Sequence, residues 1–229
     1  GGGLCTGVST LAKLLNPKIK VIAVEPAGAA CLKASLEAGE VTTVSKINTI
    51  ADGTAVQTPG DKLFPYLQAN VDHVITVDDS ELTLSFLDMA ENHKMIVENS
   101  GLLTVAALKH LDFKGKKVVS VLSGGNMDVL TMATVVQNGL MQRDRIFTVS
   151  VMLPDKPGQL AAVSSLIAKE QGNVIKLEHN VFANVNRTAG VELTITLESF
   201  GTEHKDQIIK ALEAAGYCPV ITKTNGIYM

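Results

Sequence analysis

The sequence has few of the features that accompany nucleic-acid-binding, membrane or extracellular proteins. It contains no tryptophan, and aromatic residues make up only 4% of its 229 residues, so stacking on nucleic-acid bases is disfavoured. The net charge of −3 argues against binding to a phosphate backbone, and no apolar run is long enough to cross a bilayer. The cysteines Cys5, Cys31 and Cys218 are scattered and odd in number, which favours reduced thiols and a cytoplasmic location over a disulfide framework.

Metal-binding and targeting motifs are also missing. The five histidines have no spacing typical of a zinc site. The chain opens with three glycines, without an initiator methionine or a targeting signal. We interpret Gly1 as an internal cut point in a longer protein, and we expect part of the chemistry upstream of it.

The residues that are present indicate a well-packed α/β protein, with 46% hydrophobic and 19% charged residues. From residue 1 to about 125, short β-branched runs alternate with helical patterns, which predicts a parallel sheet with crossover helices. A capping box at Asp78 and Glu81 predicts the start of one helix. The other predicted elements are strands over 20–24, 72–77 and 117–122 and helices over 5–15, 31–38, 100–110 and 127–145.

The pattern changes after a charged stretch at residues 142–145, which is suited to a linker. The elements predicted after it are strands over 146–153, 173–183, 191–200 and 217–223, helices over 159–171 and 202–215, and a hairpin loop at 184–190. The order βαββαβ is typical of a ferredoxin-like unit. We therefore predict two domains, residues 1–145 with the linker helix and residues 146–229.

Two glycine-containing junctions are suited to ligand binding. Gly1-Gly2-Gly3-Leu4 leads into a predicted helix, so its backbone N–H groups and the helix N-terminus can bind an anion, although a linker or tag remnant has the same composition. Ser123-Gly124-Gly125-Asn126 follows the third predicted strand, at the sheet edge where open α/β sheets bind ligands. A tight turn without function is the alternative there.

Five segments in one order strengthen the functional interpretation. They are Gly-Gly-Gly-Leu at 1–4, Val-Glu-Pro-Ala-Gly-Ala-Ala at 24–30, Thr-Ile-Ala-Asp-Gly at 49–53, Val-Glu at 97–98 and Ser-Gly-Gly-Asn at 123–126. Together they resemble the second half of the large domain of fold-type II pyridoxal-phosphate enzymes, in the branch of threonine dehydratase and serine racemase. The resemblance covers residues 1 to about 140 and implies pyridoxal phosphate as the cofactor.

The resemblance also implies residue roles. Ser123 matches the serine that hydrogen-bonds the pyridine nitrogen, and a neutral hydroxyl there makes the ring a milder electron sink than an aspartate would. Glu98 and Gly53 are implied to lie beside the cofactor, with an exposed acid at a helix start and a turn glycine as the alternatives. The cofactor phosphate is implied to be held by backbone amides of Gly1, Gly2, Gly3 and Leu4.

The sequence departs from this family in two places. Serine racemase-like members hold a divalent cation through Glu25, the carbonyl at Ala29 and an acidic residue at the position of Cys31, so we expect no metal site here and keep Glu25 and Ala29 only as weak candidates. The Schiff-base lysine of the family lies upstream of the glycine loop, and no lysine of this chain stands in such a motif. We therefore assign no catalytic residue and expect the chain alone to be inactive.

The second region resembles an ACT domain, through residues 155–160 and 171–174. In that domain effector amino acids bind at an interface between domains. The alternative is a turn that only shapes the fold, or a unit that serves only dimer contacts. The implied effector site consists of Asp155, Pro157, Gly158, Gln159, Leu160 and Asn173.

The resemblance as a whole implies a threonine ammonia-lyase that converts L-threonine to 2-oxobutyrate and ammonia, with L-serine as a further substrate and an amino acid such as isoleucine or valine as effector. Serine racemase or serine dehydratase is one alternative, and a non-catalytic amino-acid-binding dimerisation module is another. We expect a homo-oligomer, a dimer or a tetramer, with no nucleic-acid or membrane partner. Isoleucine biosynthesis and threonine catabolism are not distinguished by the sequence.

Overall fold

The computed structural model describes residues 1–180 and 190–224. It divides into two compact units, Gly1–Val136 and Gln137–Met229, which are described separately below. The boundary falls inside the helix Val129–Gln142, somewhat before the domain limit predicted at residue 145, and that domain limit stays a prediction. Among the described residues no helix combines the length and the apolar character that a membrane crossing requires.

The first unit contains a parallel pair of strands surrounded by helices. Strand β1 (Ile22–Pro26) pairs with β2 (His73–Val77), in a register that joins Ile22 to His73 and Pro26 to Val77. β-Branched residues fill much of both strands, as expected for a sheet that packs on both faces. The helices of this unit are α1 (Gly3–Leu15), α2 (Cys31–Ala38), α3 (Phe64–Asn70), α4 (Asp79–Asp88), α5 (Leu103–Ala106) and the start of α6 (Val129–Gln142).

Local signals in the sequence predicted several of these element ends correctly. Helix α2 ends at Gly39, whose φ of 76° is the left-handed conformation that glycine adopts easily. At the start of α4 the capping box of Asp78 and Glu81 is formed in both directions. The side chains of Leu82 and Phe86 on α4 are buried in the main core of this unit. Each contributes about 2 kcal/mol to the stability of the fold.

Two predictions for this unit need correction, and one helix was missed. Residues 117–122 form no strand: within the described chain they pair with no neighbouring strand, and Thr104 instead donates its hydroxyl to the carbonyl of Val121. The helix predicted over 100–110 is broken into 3₁₀ turns, Asn99–Leu102 and Ala107–His110, on either side of the short α5. Helix α3 was not predicted, because its seven residues are too few to show a helical period.

The second unit has the predicted ferredoxin-like order. Strand β3 (Ile146–Leu153) is followed by α7 (Gln159–Lys169), β4 (Asn173–Asn180), β5 (Val191–Glu198), α8 (Thr202–Ala214) and β6 (Val220–Thr222). The sheet order is β4-β5-β3-β6, and all neighbours are antiparallel. Alternate residues of β3 and β5 pack with α7 and α8 into a single core. Residues 184–189 of the predicted hairpin loop lie outside the described residues.

The charged stretch predicted as a linker is anchored within the second unit. Asp144 has a φ of 54° and its carboxylate accepts hydrogen bonds from Thr202 and Lys205, each at 2.8 Å, at the start of α8. Ser199 donates its hydroxyl to the carbonyl of Asp144 and its N–H to the carbonyl of Arg145. The segment is therefore held by side chains in the first turn of α8 rather than being a free connection.

Candidate functional site

The first unit contains a cavity of about 350 Å³, within the size range of small-molecule sites. Its walls come from the glycine loop at the start of α1, from β1, from the loop around Gly53, from the segment after Glu98 and from Ser123. All seven residues that the family resemblance assigned to the cofactor line this one cavity: Gly1, Gly2, Gly3, Leu4, Gly53, Glu98 and Ser123. Their individual roles stay predictions.

The glycine loop presents open backbone to the cavity. Gly2 precedes α1 with a φ of 93°, and the carbonyl of Gly1 accepts a hydrogen bond from the N–H of Gly60 at 3.0 Å. A Cβ at Gly1 or Gly3 would have no atom within 4 Å, so empty space lies over the backbone there. The first N–H groups of an α-helix have no acceptor within the helix, and the helix dipole adds positive potential. This end of the cavity is therefore suited to an anion such as phosphate.

The wall around Ser123 is built by close backbone packing. A Cβ on Gly101 would lie 2.3 Å from the carbonyl oxygen of Ser123, and one on Gly124 would lie 2.4 Å from the Glu98 carboxylate. Gly124 also has a φ of 87°, which disfavours other residues. The Glu98 carboxylate accepts a hydrogen bond from the backbone N–H of Asn126 at 3.2 Å. Glycines thus bring the hydroxyl-bearing residue and the carboxylate to the same wall.

The Gly53 loop closes the cavity beside Glu98. A Cβ on Gly53 would lie 2.9 Å from the hydroxyl of Ser100 and 3.6 Å from Oε1 of Glu98, so no side chain fits between these groups. Ser100 and Thr104 also line the cavity, and neither was singled out from the sequence. Their position just after Glu98, at the start of a predicted helix, was the available signal.

Glu25 lies in the cavity wall between two thiols. Its carboxylate caps α2, because it accepts hydrogen bonds from the N–H groups of Leu32 at 2.8 Å and Lys33 at 2.9 Å. Burial raises the pKa of Glu25, and the backbone hydrogen bonds only partly oppose this. Burial also raises the thiol pKa of Cys5 and of Cys31, with the nearby Glu25 carboxylate acting in the same direction.

These environments define the chemistry of the Glu25 region. Both thiols stay protonated at neutral pH and are poor nucleophiles. Both oxygens of Glu25 are engaged by the helix, and Ala29 is buried. The expectation that Glu25 and Ala29 hold no cation stays a prediction.

Comparison with known families assigns the first unit. The model of a family described as pyridoxal-phosphate dependent enzyme matches residues 1–124, which is more than half of the chain. The chain belongs to the pyridoxal-phosphate dependent enzyme family. The ACT domain model matches residues 147–216, in agreement with the βαββαβ order of the second unit.

Individual members of the pyridoxal-phosphate dependent enzyme family are similar over most of the chain. An L-threonine ammonia-lyase from Geobacter sulfurreducens is 36% identical over 226 residues, 97% of this chain and 56% of that protein. The solved structure of threonine deaminase isoform 2 from Solanum lycopersicum, in its processed form, is 31% identical with a TM-score of 0.55, covering 60% of this chain and 41% of the other. Maize serine racemase is 37% identical with a TM-score of 0.54, covering 60% and 45%. The chain therefore spans only about half the length of the relatives it matches.

The lining of the cavity lacks one element of pyridoxal-phosphate chemistry. Within the described chain it contains no lysine, arginine or histidine. No lysine side chain of these walls can therefore supply the amine that attacks the cofactor aldehyde. No basic side chain of the described lining can assist anion binding, so the glycine loop offers an anion its backbone N–H groups and the helix dipole.

The predicted effector residues lie in the second unit. Asp155, Pro157 and Gly158 are exposed, and Gly158 has a φ of 90° at the start of α7. The side-chain Oε1 of Gln159 accepts a hydrogen bond from the Tyr217 hydroxyl at 3.5 Å, and the side-chain amide of Asn173 donates to the Glu198 carboxylate at 3.1 Å. Leu160 is 38% exposed. Their role in effector binding stays a prediction.

Proposed function

We propose that this chain forms part of a pyridoxal-phosphate-dependent threonine ammonia-lyase, which converts L-threonine to 2-oxobutyrate and ammonia and also accepts L-serine. The observation that carries the proposal is that the open glycine loop and Ser123 line one cavity of about 350 Å³. The glycine loop offers backbone N–H groups for a phosphate, and Ser123 offers a hydroxyl for a ring nitrogen.

The cavity residues fit pyridoxal phosphate. The N–H groups of Gly2, Gly3 and Leu4 would hold the phosphate, since empty space lies over Gly1 and Gly3. Ser123 would donate its hydroxyl to the pyridine nitrogen, and Glu98 would lie beside the ring, held by the N–H of Asn126. When bound, the cofactor supplies an electron sink for loss of the α-proton and the β-hydroxyl of the substrate.

The chain alone is expected to be inactive, because no lysine lines the cavity in the described residues. We propose that it binds the cofactor without a covalent bond.

The assay for this is a fluorescence titration of the chain with pyridoxal phosphate. Ser123→Ala should weaken binding about fivefold, the effect of one hydrogen bond. Ser85→Ala is the control, since the Ser85 hydroxyl donates to the carbonyl of Glu81 and neither residue belongs to the lining. Absence of binding by the unmodified chain would refute the proposal.

Substrate preference separates the enzymes that share this cavity. The likeness to maize serine racemase supports a serine racemase or serine dehydratase as the second candidate. The ACT match at residues 147–216 favours threonine ammonia-lyase. The chain joined to the part of the Geobacter sulfurreducens relative that it does not span should turn over L-threonine faster than L-serine and should form no D-serine.

The second unit is proposed to bind an amino-acid effector at Asp155, Pro157, Gly158, Gln159, Leu160 and Asn173. Support comes from the ACT match and from the exposed loop before α7. Calorimetric titration with isoleucine, valine, threonine and serine tests this directly, and a purely structural unit would bind none of them. We further propose that the protein is a cytoplasmic homo-oligomer, a dimer or a tetramer.

A further inference from the structure

The loop of residues 49–54 forms one wall of the cavity, yet it contains no strand and no α-helix. Its own hydrogen bonds shape it: the N–H of Ala51 bonds to the Thr49 hydroxyl at 3.1 Å, and the N–H of Thr54 bonds to the carbonyl of Ala51 at 3.0 Å. Such bonds within a loop define its shape but not its position relative to the rest of the unit. Contacts to other elements must therefore hold Gly53 against Glu98 and Ser100.

One such contact comes from Asp79, the first residue of α4. Its carboxylate accepts a hydrogen bond from the Thr49 hydroxyl at 2.6 Å and another from the N–H of Ile50 at 3.0 Å. Both are bonds to a charged acceptor, which are stronger than neutral ones. Because α4 directly follows β2, the loop is tied to the carboxyl end of that strand.

The second contact comes from Asn99, which follows the cavity residue Glu98. Its amide donates a hydrogen bond to the carbonyl of Ile50 at 3.0 Å. Asn99 is only 6% exposed, and within the described chain its carbonyl oxygen has no hydrogen-bond partner. A buried, unpaired acceptor lowers stability. The presence of an asparagine at position 99 is therefore better explained by its contact with the loop than by a contribution to stability.

We infer that Asp79 and Asn99 are positioning residues for ligand binding: together they hold the 49–54 loop so that the Gly53 backbone forms the cavity wall beside Glu98 and Ser100. The Gly53 backbone is closely packed, since a Cβ added there would lie 2.9 Å from the Ser100 hydroxyl. A small shift of the loop therefore changes the shape of the cavity. The inference rests on the proposed function, with pyridoxal phosphate as the ligand.

The test compares Asp79→Ala and Asn99→Leu with Asp78→Ala. Asp78 begins the same helix and belongs to its capping box, but its hydrogen bonds are to α4 and not to the loop. Asn99→Leu removes the loop bond while keeping the branching and the number of side-chain heavy atoms. Two measurements are made on the whole chain: hydrogen exchange at residues 50–54, and affinity for pyridoxal phosphate by fluorescence titration.

We expect Asp79→Ala, which removes two hydrogen bonds to the loop, and Asn99→Leu, which removes one, each to speed exchange at residues 50–54 and to weaken cofactor affinity by about tenfold or more. Asn99→Leu should do so without lowering the melting temperature, which separates positioning from stability. Asp78→Ala should destabilise the chain and leave exchange in the loop and affinity nearly unchanged.

Three results would overturn the inference. If Asp79→Ala and Asn99→Leu bind the cofactor as tightly as the unmodified chain, the loop contacts do not position the site. If Asp78→Ala weakens binding as much as Asp79→Ala, helix stability explains the effect. If the unmodified chain does not bind pyridoxal phosphate, the proposed function fails first and the inference fails with it.

Discussion

The two units use their polar groups differently. In the second unit polar groups at element junctions satisfy one another: Asp144 pairs with Thr202 and Lys205, and His204 bridges the N–H of Phe200 and the carbonyl of Glu170. In the first unit the start of α1 opens on a cavity, and Asn99 keeps a buried oxygen without a partner in the described chain. A closed network stabilises, whereas open groups are available to a ligand.

The largest expected effect comes from adding a side-chain atom where Gly101 packs against the backbone of Ser123. Gly101→Ala places a Cβ 2.3 Å from the carbonyl oxygen of Ser123, so the backbone at Ser123 or at residue 101 must shift. We expect a loss of about 1–3 kcal/mol of unfolding free energy, typical of overpacking, and loss of detectable pyridoxal phosphate binding. Urea unfolding and fluorescence titration measure the two effects.

Gly7→Ala is the matched control for that substitution. Gly7 lies within α1, and a Cβ there would meet no atom within 4 Å. Alanine should stabilise this helix by about 0.5–1 kcal/mol and leave cofactor binding intact. Equal binding by Gly101→Ala and Gly7→Ala would show that the Ser123 wall does not contact the ligand.

The next effect in size concerns the closed network at Asp144. Burial acts to raise the pKa of this carboxylate, but hydrogen bonds from Lys205 and Thr202 and the Lys205 charge outweigh it, so the pKa is lowered. A carboxylate whose pKa is lower in the folded state stabilises above its unfolded pKa, and the stabilisation is lost as the pH falls through the folded value. Asp144→Asn should therefore destabilise the second unit by about 1–2 kcal/mol at pH 7.

The difference between Asp144→Asn and the unmodified chain should shrink as the pH falls below about 4. Chemical unfolding followed across that range gives the curve, with Asp206→Asn, an exposed acid on α8, as the control. A difference that is constant with pH would mean that the Asp144 charge plays no part in the network.

The smallest effect is expected at the rim of the same network. Phe200 is 80% exposed and stacks on His204 with ring centroids 4.8 Å apart. Phe200→Ala should lower the unfolding free energy by only about 0.5–1 kcal/mol. The substitution removes the ring contact but keeps the hydrogen bond from the backbone N–H at position 200 to His204. A loss as large as that of Asp144→Asn would show that stacking, and not hydrogen bonding, organises this junction.

Local chemistry explains what the sequence predicted well. Gly39 ends α2 and the Asp78–Glu81 capping box begins α4, because both signals act within a few residues of the chain. Strand β3 was predicted over its observed range, since its alternating residues face one core. The residues assigned to the cofactor, which line one cavity, were identified from the order of family motifs and not from periodicity.

Tertiary contacts explain what the sequence did not reveal. Residues 117–122 have a strand-like composition but no strand beside them in the described chain, and a strand requires a partner. Asp79 was predicted only as part of a helix start, and Asn99 was not singled out. Their contacts with Ile50 join positions 29 and 49 residues apart, a separation that no local pattern reports.

The most direct test of the account is a nuclear magnetic resonance titration of the chain with pyridoxal phosphate. If one ligand bridges the cavity, the backbone signals of Gly2, Gly3 and Leu4 and that of Ser123 will shift together with a single affinity, while inorganic phosphate alone will shift only the glycine loop. Shifts at the glycine loop without any at Ser123, or at neither place, would contradict the claim that these two walls hold the same molecule.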